Sequence, residues 1–213
     1  MEMDEATKEQ VRVMFSTLED DVTIHLFVKD HDCLYCGDTT TLINMVADLS
    51  KKIKVERHTD KIGTGKAAEM GIRAHPTAVL HGKEKYKVRF MGIPAGHEFG
   101  ALIAGIVAVS TGSVALEDDI IQDIKAIDKP LHIQVFTTPQ CPYCPNAVRL
   151  AHYAAILNPL IEADMVEALE FQDLATKYQV FGVPKTIINE TVHLEGAAPP
   201  EMFVEKLYDA VEK

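Results

Sequence analysis

Hydrophobic and polar positions follow the same order twice along this chain of 213 residues. Two alternating apolar runs, VTIHLFV at 22–28 and LHIQVFT at 131–137, have the two-residue period of a β-strand. Each run follows a stretch with apolar residues at helical spacing, at 6–18 and at 117–127, and Pro130 ends the second stretch. The pattern therefore predicts that two similar units each begin with a helix and a strand.

The remainder of each unit predicts a further strand, a short helix, a hairpin and a closing helix. The strands are expected near 53–57 and 164–168, the short helices near 65–71 and 171–178, the hairpins at 77–81 with 85–91 and at 185–189 with 191–195, and the closing helices at 97–109 and 200–211. This order of elements indicates an α/β fold with a mixed sheet and helices on both faces. The residues TGS at 111–113 mark a seam, so we predict two packed domains, 1–113 and 114–213.

The two units also share landmarks at a constant offset. Each has a C-x-x-C motif directly after its first predicted strand, and each has a proline before its predicted hairpin. The offset is 108 positions for three pairs: Cys33 and Cys141, Cys36 and Cys144, Pro76 and Pro184.

A C-x-x-C motif at the beginning of a helix suits a disulfide that opens and closes. Residues three apart on a helix have Cβ atoms about 5–6 Å apart, which suits disulfide geometry with little backbone movement. A helix N-terminus favours negative charge, and the thiolate is the nucleophile. We therefore predict that Cys141 attacks a substrate disulfide and that Cys144 resolves the mixed disulfide. Cys33 and Cys36 are expected to do the same in the first unit.

The residues around the two motifs differ in a way that affects reactivity. Pro142 suits an early helical position because it lacks an N–H there, and Tyr143 can pack beside the sulfurs. The first motif is instead surrounded by Asp30, Asp32 and Asp38, and nearby carboxylates oppose a thiolate. We therefore expect the second cysteine pair to be the more reactive one.

Composition and charge exclude several other classes. The net charge is −11, whereas binding of nucleic acid requires a basic patch. The most apolar run, at 101–109, is far shorter than the ~20 residues of a membrane helix. The acidic, polar N-terminus is not a secretory signal, so a cytoplasmic protein is expected. In a reducing cytoplasm, cysteines are more often catalytic or metal-binding than structural.

The motif CPYC at 141–144, with the pairs His75-Pro76 and Val183-Pro184, resembles the thioredoxin/glutaredoxin family. Two such units in one chain resemble the tandem protein disulfide oxidoreductases of thermophilic archaea and bacteria. The resemblance implies two thioredoxin-like domains, each with a cis-proline that faces the cysteines. It also implies a dithiol–disulfide oxidoreductase with disulfide-containing protein substrates, a thioredoxin-reductase-type electron donor, and no cofactor besides its own disulfides.

Three departures from that family pattern affect the expected site. The chain has no tryptophan, so the W-C-G-P-C sequence of typical thioredoxins is absent. His75 stands where valine or threonine is expected. The strands before the cysteines lack the buried aspartate of thioredoxins, and the resemblance implies that Glu56 and Glu167, on the following strands, act as proton acceptors instead.

Other interpretations of the cysteines remain open at this stage. Two C-x-x-C pairs can bind zinc, but such pairs are usually separated by ~15–20 residues rather than 108. Purely structural disulfides are a second alternative. A third is a dedicated electron carrier for a peroxidase or flavoenzyme, which would resemble the N-terminal module of alkyl hydroperoxide reductase flavoproteins. The nine histidines show no ligand spacing, so no metal site is predicted.

Overall fold

The computed structural model describes residues 3–212. Within that range, helices and strands follow the order predicted for two repeated units. The elements are α1 (Glu5–Phe15), β1 (Val22–Phe27), α2 (Cys36–Ala47), β2 (Ile53–His58), α3 (Gly65–Glu69), β3 (Thr77–His81), β4 (Val88–Met91), α4 (Glu98–Thr111), α5 (Asp118–Lys125), β5 (Leu131–Thr137), α6 (Cys144–Leu157), β6 (Ile161–Glu167), α7 (Gln172–Lys177), β7 (Lys185–Ile188), β8 (Val192–Glu195) and α8 (Pro200–Glu212).

The described strands form one mixed sheet in the order β2-β1-β3-β4-β6-β5-β7-β8. Each unit contributes four neighbouring strands with the same arrangement. Its first two strands are parallel, and the two strands of its hairpin are antiparallel. The units meet where β4 pairs in parallel with β6. The predicted mixed sheet is therefore confirmed, and it runs without a break through both units.

Helices cover both faces of this sheet, as the pattern predicted. The main hydrophobic core includes buried residues from α1, α2, α4, α5, α6 and α8 on one face. Two smaller clusters lie on the other face, one beneath α3 with Phe27 and Val79, the other beneath α7 with Phe136 and Val166. Alternation along each strand thus decides whether a side chain faces the main core or the α3 and α7 side.

Helix α4 lies at the junction of the two units. The sequence left open whether this apolar helix packs against the sheet or between the units, and the structure shows both. Gly105 allows a close approach to the sheet, because a Cβ atom there would lie 3.3 Å from Leu80 Cδ1. The same helix packs against α6 of the second unit. It ends at Thr111, and Gly112 adopts the left-handed φ of 67° that commonly follows a helix.

No helix within residues 3–212 has the length and apolar character needed to span a membrane.

Three predicted element boundaries were wrong by about three residues, and one of them is the beginning of β4, at Val88 rather than 85. Helix α1 ends at Phe15 rather than 18, because the hydroxyls of Ser16 and Thr17 donate to carbonyl groups of the preceding turn. Strand β6 begins at Ile161 rather than near 164. Its acidic residues, Glu162 and Asp164, hid the apolar alternation in the sequence, although Asp164 is fully buried.

Candidate active sites

The second cysteine pair lies at the end of β5 and the beginning of α6. Cys141 and Cys144 form a disulfide with a Cα–Cα distance of 5.5 Å. The sequence suggested that Cys141 lies in the first turn of the helix. The helix instead begins at Cys144, so Cys141 lies in the preceding loop. Pro142 also precedes the helix, and Pro145 instead occupies its first turn, where no N–H is needed.

The first cysteine pair has the same local arrangement after β1. Cys33 and Cys36 form a disulfide with a Cα–Cα distance of 5.5 Å, and α2 begins at Cys36. Asp30, expected to oppose a thiolate here, forms an ion pair with Arg57. Hydrogen bonding to this guanidinium lowers the pKa of Asp30. The nearby positive charge therefore offsets part of the negative charge around this site.

The hydrogen bonds to sulfur differ between the two sites. In the second site, the backbone N–H of Cys144 donates to Cys141 Sγ over 3.2 Å. Once the disulfide is reduced, this N–H and the helix N-terminus favour a thiolate at Cys141. In the first site, the backbone N–H of Lys29 donates to Cys36 Sγ over 3.4 Å. Cys141 is slightly exposed, at 7%, whereas Cys144 is inaccessible.

Both predicted cis-prolines are present. The His75–Pro76 and Val183–Pro184 peptide bonds are cis, and both proline rings are buried. The carbonyl oxygen of Val183 lies 3.7 Å from Cys141 Sγ, so the structure brings this predicted site residue next to the sulfur that is predicted to attack.

His75 occupies the position in the first unit that Val183 occupies in the second. Its Nε2 donates to the backbone carbonyl of Asp60 over 3.2 Å, and its Nδ1 is buried without a hydrogen-bond partner. Burial lowers the pKa of His75, which favours the neutral ring. A neutral imidazole thus stands where the second site has an aliphatic side chain.

Two exposed aromatic side chains lie close in sequence to residues of the second site. Tyr143, between the two cysteines, is 67% exposed. Phe181, two residues before Val183, is 95% exposed and was not singled out from the sequence. Tyr and Phe are enriched in the buried cores of protein–protein interfaces, so these two rings are candidates for contact with a protein substrate.

Glu167, a predicted proton acceptor, lies on the face of the sheet that α6 covers. Phe136 and Val166 face α7, so their neighbours Thr137 and Glu167 face the opposite side. Glu167 Oε2 accepts a hydrogen bond from the backbone N–H of Glu170 over 2.6 Å, whereas Oε1 is buried without a partner. Burial raises the pKa of Glu167.

Glu56 does not occupy the equivalent position, which corrects the sequence-based pairing of these two acids. It pairs in register with His25, and Ile53 of the same strand belongs to the main core, so Glu56 faces the α3 side of the sheet. That side is opposite to α2 and its cysteine. The carboxylate of Glu56 contacts His25 and His58 instead.

Sequence reasoning missed a third acid, Glu98, at the beginning of α4. This residue is 1% exposed, and neither of its carboxyl oxygens has a hydrogen-bond partner. Burial raises its pKa to about 8, despite the charge of Arg149 on α6. The backbone N–H of the preceding His97 donates to the carbonyl of Pro139 over 3.0 Å, two residues before Cys141. The sequence did contain one indication of a buried acid, since Glu98 is the single charged residue in the apolar run EFGALIAGIVAV at 98–109.

Fold and site together define a protein of two thioredoxin-like units, each with a disulfide at the beginning of a helix and a cis-proline. A family model described as a thioredoxin domain matches residues 131–209. A protein disulfide oxidoreductase from Aeropyrum pernix has a structure similar to that of this chain, with a TM-score of 0.90 and 31% identity. The similarity covers 100% of this chain and 95% of that one. The chain therefore belongs to the protein disulfide oxidoreductase family.

The chain is also similar to part of several longer proteins. A domain of the alkyl hydroperoxide reductase AhpF from Enterococcus faecalis aligns with a TM-score of 0.90 and 26% identity, over 97% of this chain. The AhpF protein of Pseudomonas aeruginosa is 30% identical over 56% of this chain and 23% of that protein. A protein named NADH dehydrogenase from Bacillus subtilis is 25% identical over 89% of this chain and 35% of that protein. The chain thus spans about a third or less of these curated relatives.

Proposed function

We propose that this protein exchanges disulfides with protein substrates, and that Cys141–Cys144 is the more reactive of its two redox pairs. The observation that carries the proposal is the hydrogen bond from the Cys144 N–H to Cys141 Sγ, at a helix N-terminus and beside an exposed aromatic rim. Such a donor stabilises the thiolate that thiol–disulfide exchange requires.

Reduction of a substrate begins from the dithiol form. The Cys141 thiolate attacks one substrate sulfur, the substrate S–S bond breaks, and the released thiolate takes up a proton. Cys144 then loses its proton and attacks Cys141 Sγ, which releases the second substrate thiol and leaves the enzyme disulfide. Two electrons pass from the enzyme to the substrate. The reverse sequence oxidises a dithiol, and repeated exchange at one substrate isomerises its disulfides.

Two buried carboxyls support the proton transfer from Cys144. Glu167 lies on the α6 side of the sheet with one unpartnered oxygen, and Glu98 lies beside the loop that leads to Cys141. Burial raises the pKa of both acids. A buried carboxyl with a raised pKa can exchange a proton with a nearby thiol.

The electron donor or acceptor is proposed to be another redox protein. Similarity to alkyl hydroperoxide reductase AhpF favours a partner that is a reductase or a peroxidase, and a thioredoxin-reductase-type donor belongs to this class. The same similarity favours a second candidate function, in which the chain carries electrons to one dedicated partner.

An insulin-reduction assay with dithiothreitol tests the proposal. The wild type is compared with Cys33→Ser/Cys36→Ser and with Cys141→Ser/Cys144→Ser. We expect the first variant to keep most of the activity and the second to lose nearly all of it. A wild type that is no faster than dithiothreitol alone would contradict exchange with general protein substrates and favour the dedicated carrier.

A further inference from the structure

Four residues on three strands of the first unit come together on the α3 side of the sheet. His25 on β1 pairs in register with Glu56 on β2, and His58 follows two residues later on the same face. His81 on β3 contacts His25 from the other side, with ring centroids 4.6 Å apart. The three histidines lie far apart in sequence, so only the sheet register reveals the cluster.

Three atoms of this cluster that could bind a metal lie close to one another. His25 Nδ1 lies 3.2 Å from His58 Nε2 and 3.2 Å from Glu56 Oε2, and the third distance, between His58 Nε2 and Glu56 Oε2, is 3.8 Å. Tetrahedral Zn²⁺ with bonds of ~2.0–2.1 Å separates its ligand atoms by about 3.3–3.4 Å. Two of the three distances are therefore close to those on one face of a zinc coordination tetrahedron, and the third, which involves the exposed carboxylate of Glu56, is longer.

We propose that His25 Nδ1, His58 Nε2 and Glu56 Oε2 form a Zn²⁺ site that is separate from both cysteine pairs. Two imidazoles and one carboxylate are a ligand set that zinc uses when its fourth position is left to water. This inference goes beyond the proposed disulfide exchange, since it uses none of the residues that carry that reaction.

The surroundings hold the two imidazoles in place. The ring of His58 stacks on Phe27 at a centroid distance of 4.7 Å, and His25 is 7% exposed between His58 and His81. Rings fixed by packing need little reorganisation to bind a metal. Without an ion, the short distance between the two ring nitrogens would instead be a hydrogen bond between His25 and His58. An experiment must therefore distinguish this hydrogen bond from a bound metal.

The position on the sheet gives an ion access from solvent. Strand β2 is the edge strand of the first unit, and the Glu56 side chain is 53% exposed. A cleft of about 430 Å³, lined in part by His25 and His81, adjoins the cluster on the same face. An ion can therefore enter beside Glu56, and a water molecule can complete its coordination.

Calorimetric titration of the full, oxidised chain with ZnCl₂ tests this site, because the disulfides leave no thiol to bind the metal. We expect one equivalent of Zn²⁺ to bind, and MgCl₂ to give no comparable heat. Glu56→Gln and His58→Gln should each weaken Zn²⁺ binding at least about 10-fold, which is the loss that even a change outside the ligand sphere can cause.

The opposite edge strand, β8, provides matched controls. His193 and Glu195 also stand two residues apart on an exposed edge, so His193→Gln and Glu195→Gln should leave Zn²⁺ affinity unchanged. Titration of a variant with all four cysteines replaced by serine should match the wild type. The proposal is overturned if the oxidised wild type binds no Zn²⁺, if Glu56→Gln and His58→Gln bind like the controls, or if the four-serine variant loses binding.

Discussion

The carboxyl of Glu98 connects the first unit to the site of the second. It belongs to α4 of the first unit, yet its neighbours are Arg149 on α6 and the loop around Pro139. A helix N-terminus normally favours a carboxylate, but complete burial without hydrogen bonds favours the neutral acid more strongly, as the raised pKa of Glu98 indicates. The residue thus keeps its proton in the folded protein at neutral pH.

The variant Glu98→Gln should change how stability depends on pH. The carboxyl pKa is 4.5 in a model peptide and about 8 in the folded protein, so the folded state holds a proton that the unfolded state has lost. Wild-type stability should therefore fall as pH rises through this window, by up to about 1.4 kcal/mol per pH unit. Calorimetry should show that the Tm of Glu98→Gln minus the Tm of the wild type increases between pH 5 and pH 8.

Glu201 provides the control for that comparison, because it is an exposed acid in the first turn of α8, the closing helix of the second unit. Glu201→Gln should follow the wild-type curve throughout. Parallel curves for Glu98→Gln and the wild type would show that Glu98 ionises as freely in the folded chain as in the unfolded one.

The exposed ring of Phe181 should affect only large substrates. If a protein substrate covers this ring, Phe181→Ser removes about 1 kcal/mol of apolar contact and raises KM for insulin roughly fivefold. Turnover of a small disulfide that cannot reach the ring should not change. Val13→Ser, at an exposed position on α1 in the first unit, is the control. An equal loss with both substrates would mean that Phe181 supports the site itself and not substrate docking.

At the scale of elements, the pairing of β4 with β6 is held by buried charges. Arg89 on β4 donates to Asp164 and Glu162 on β6 and to the carbonyl of Met70. Burial alone would raise the pKa of Asp164, but Arg89 and His132 hold it at about 2. Each buried charge at this junction therefore depends on a partner from another strand.

Arg89→Ala should destabilise the protein strongly, because it leaves Asp164 buried with less compensation. Removing one partner from a buried ion pair typically costs about 3–5 kcal/mol. Chemical denaturation should show a loss of this size, whereas Lys54→Ala, which breaks an exposed pair with Asp21, should cost at most about 1 kcal/mol. Similar losses for both variants would mean that the Arg89 pair is not important for the junction.

The same ion pairs explain which elements the sequence could predict. Strand β5 and the C-x-x-C motif after it follow from local alternation and spacing, and the repeat made the second copy easy to align. The beginning of β6 could not be predicted from local alternation. Glu162 and Asp164 can be buried there because Arg89 on β4 donates hydrogen bonds to both of them. Glu98 and the cluster around His25 were missed for the same physical reason. Their surroundings come from residues far away in sequence.

At the scale of the whole molecule, the two units share one sheet and one core. The main cluster of buried residues extends from Val11 on α1 to Ala210 on α8 and includes the contact of α4 with α6. Two domains joined only by a linker would open independently. A continuous sheet with a shared core instead couples the opening of each unit to that of the other.

We therefore expect the two units to unfold as one cooperative unit. Native-state hydrogen exchange should give the same opening free energy, within about 1 kcal/mol, for the central amides of β1 and β5, because neither strand can open fully without disrupting the shared core. In Arg89→Ala the two values should separate, since the junction between β4 and β6 is then weakened. Clearly different values in the wild type would show that the units open independently, with the sheet broken between β4 and β6.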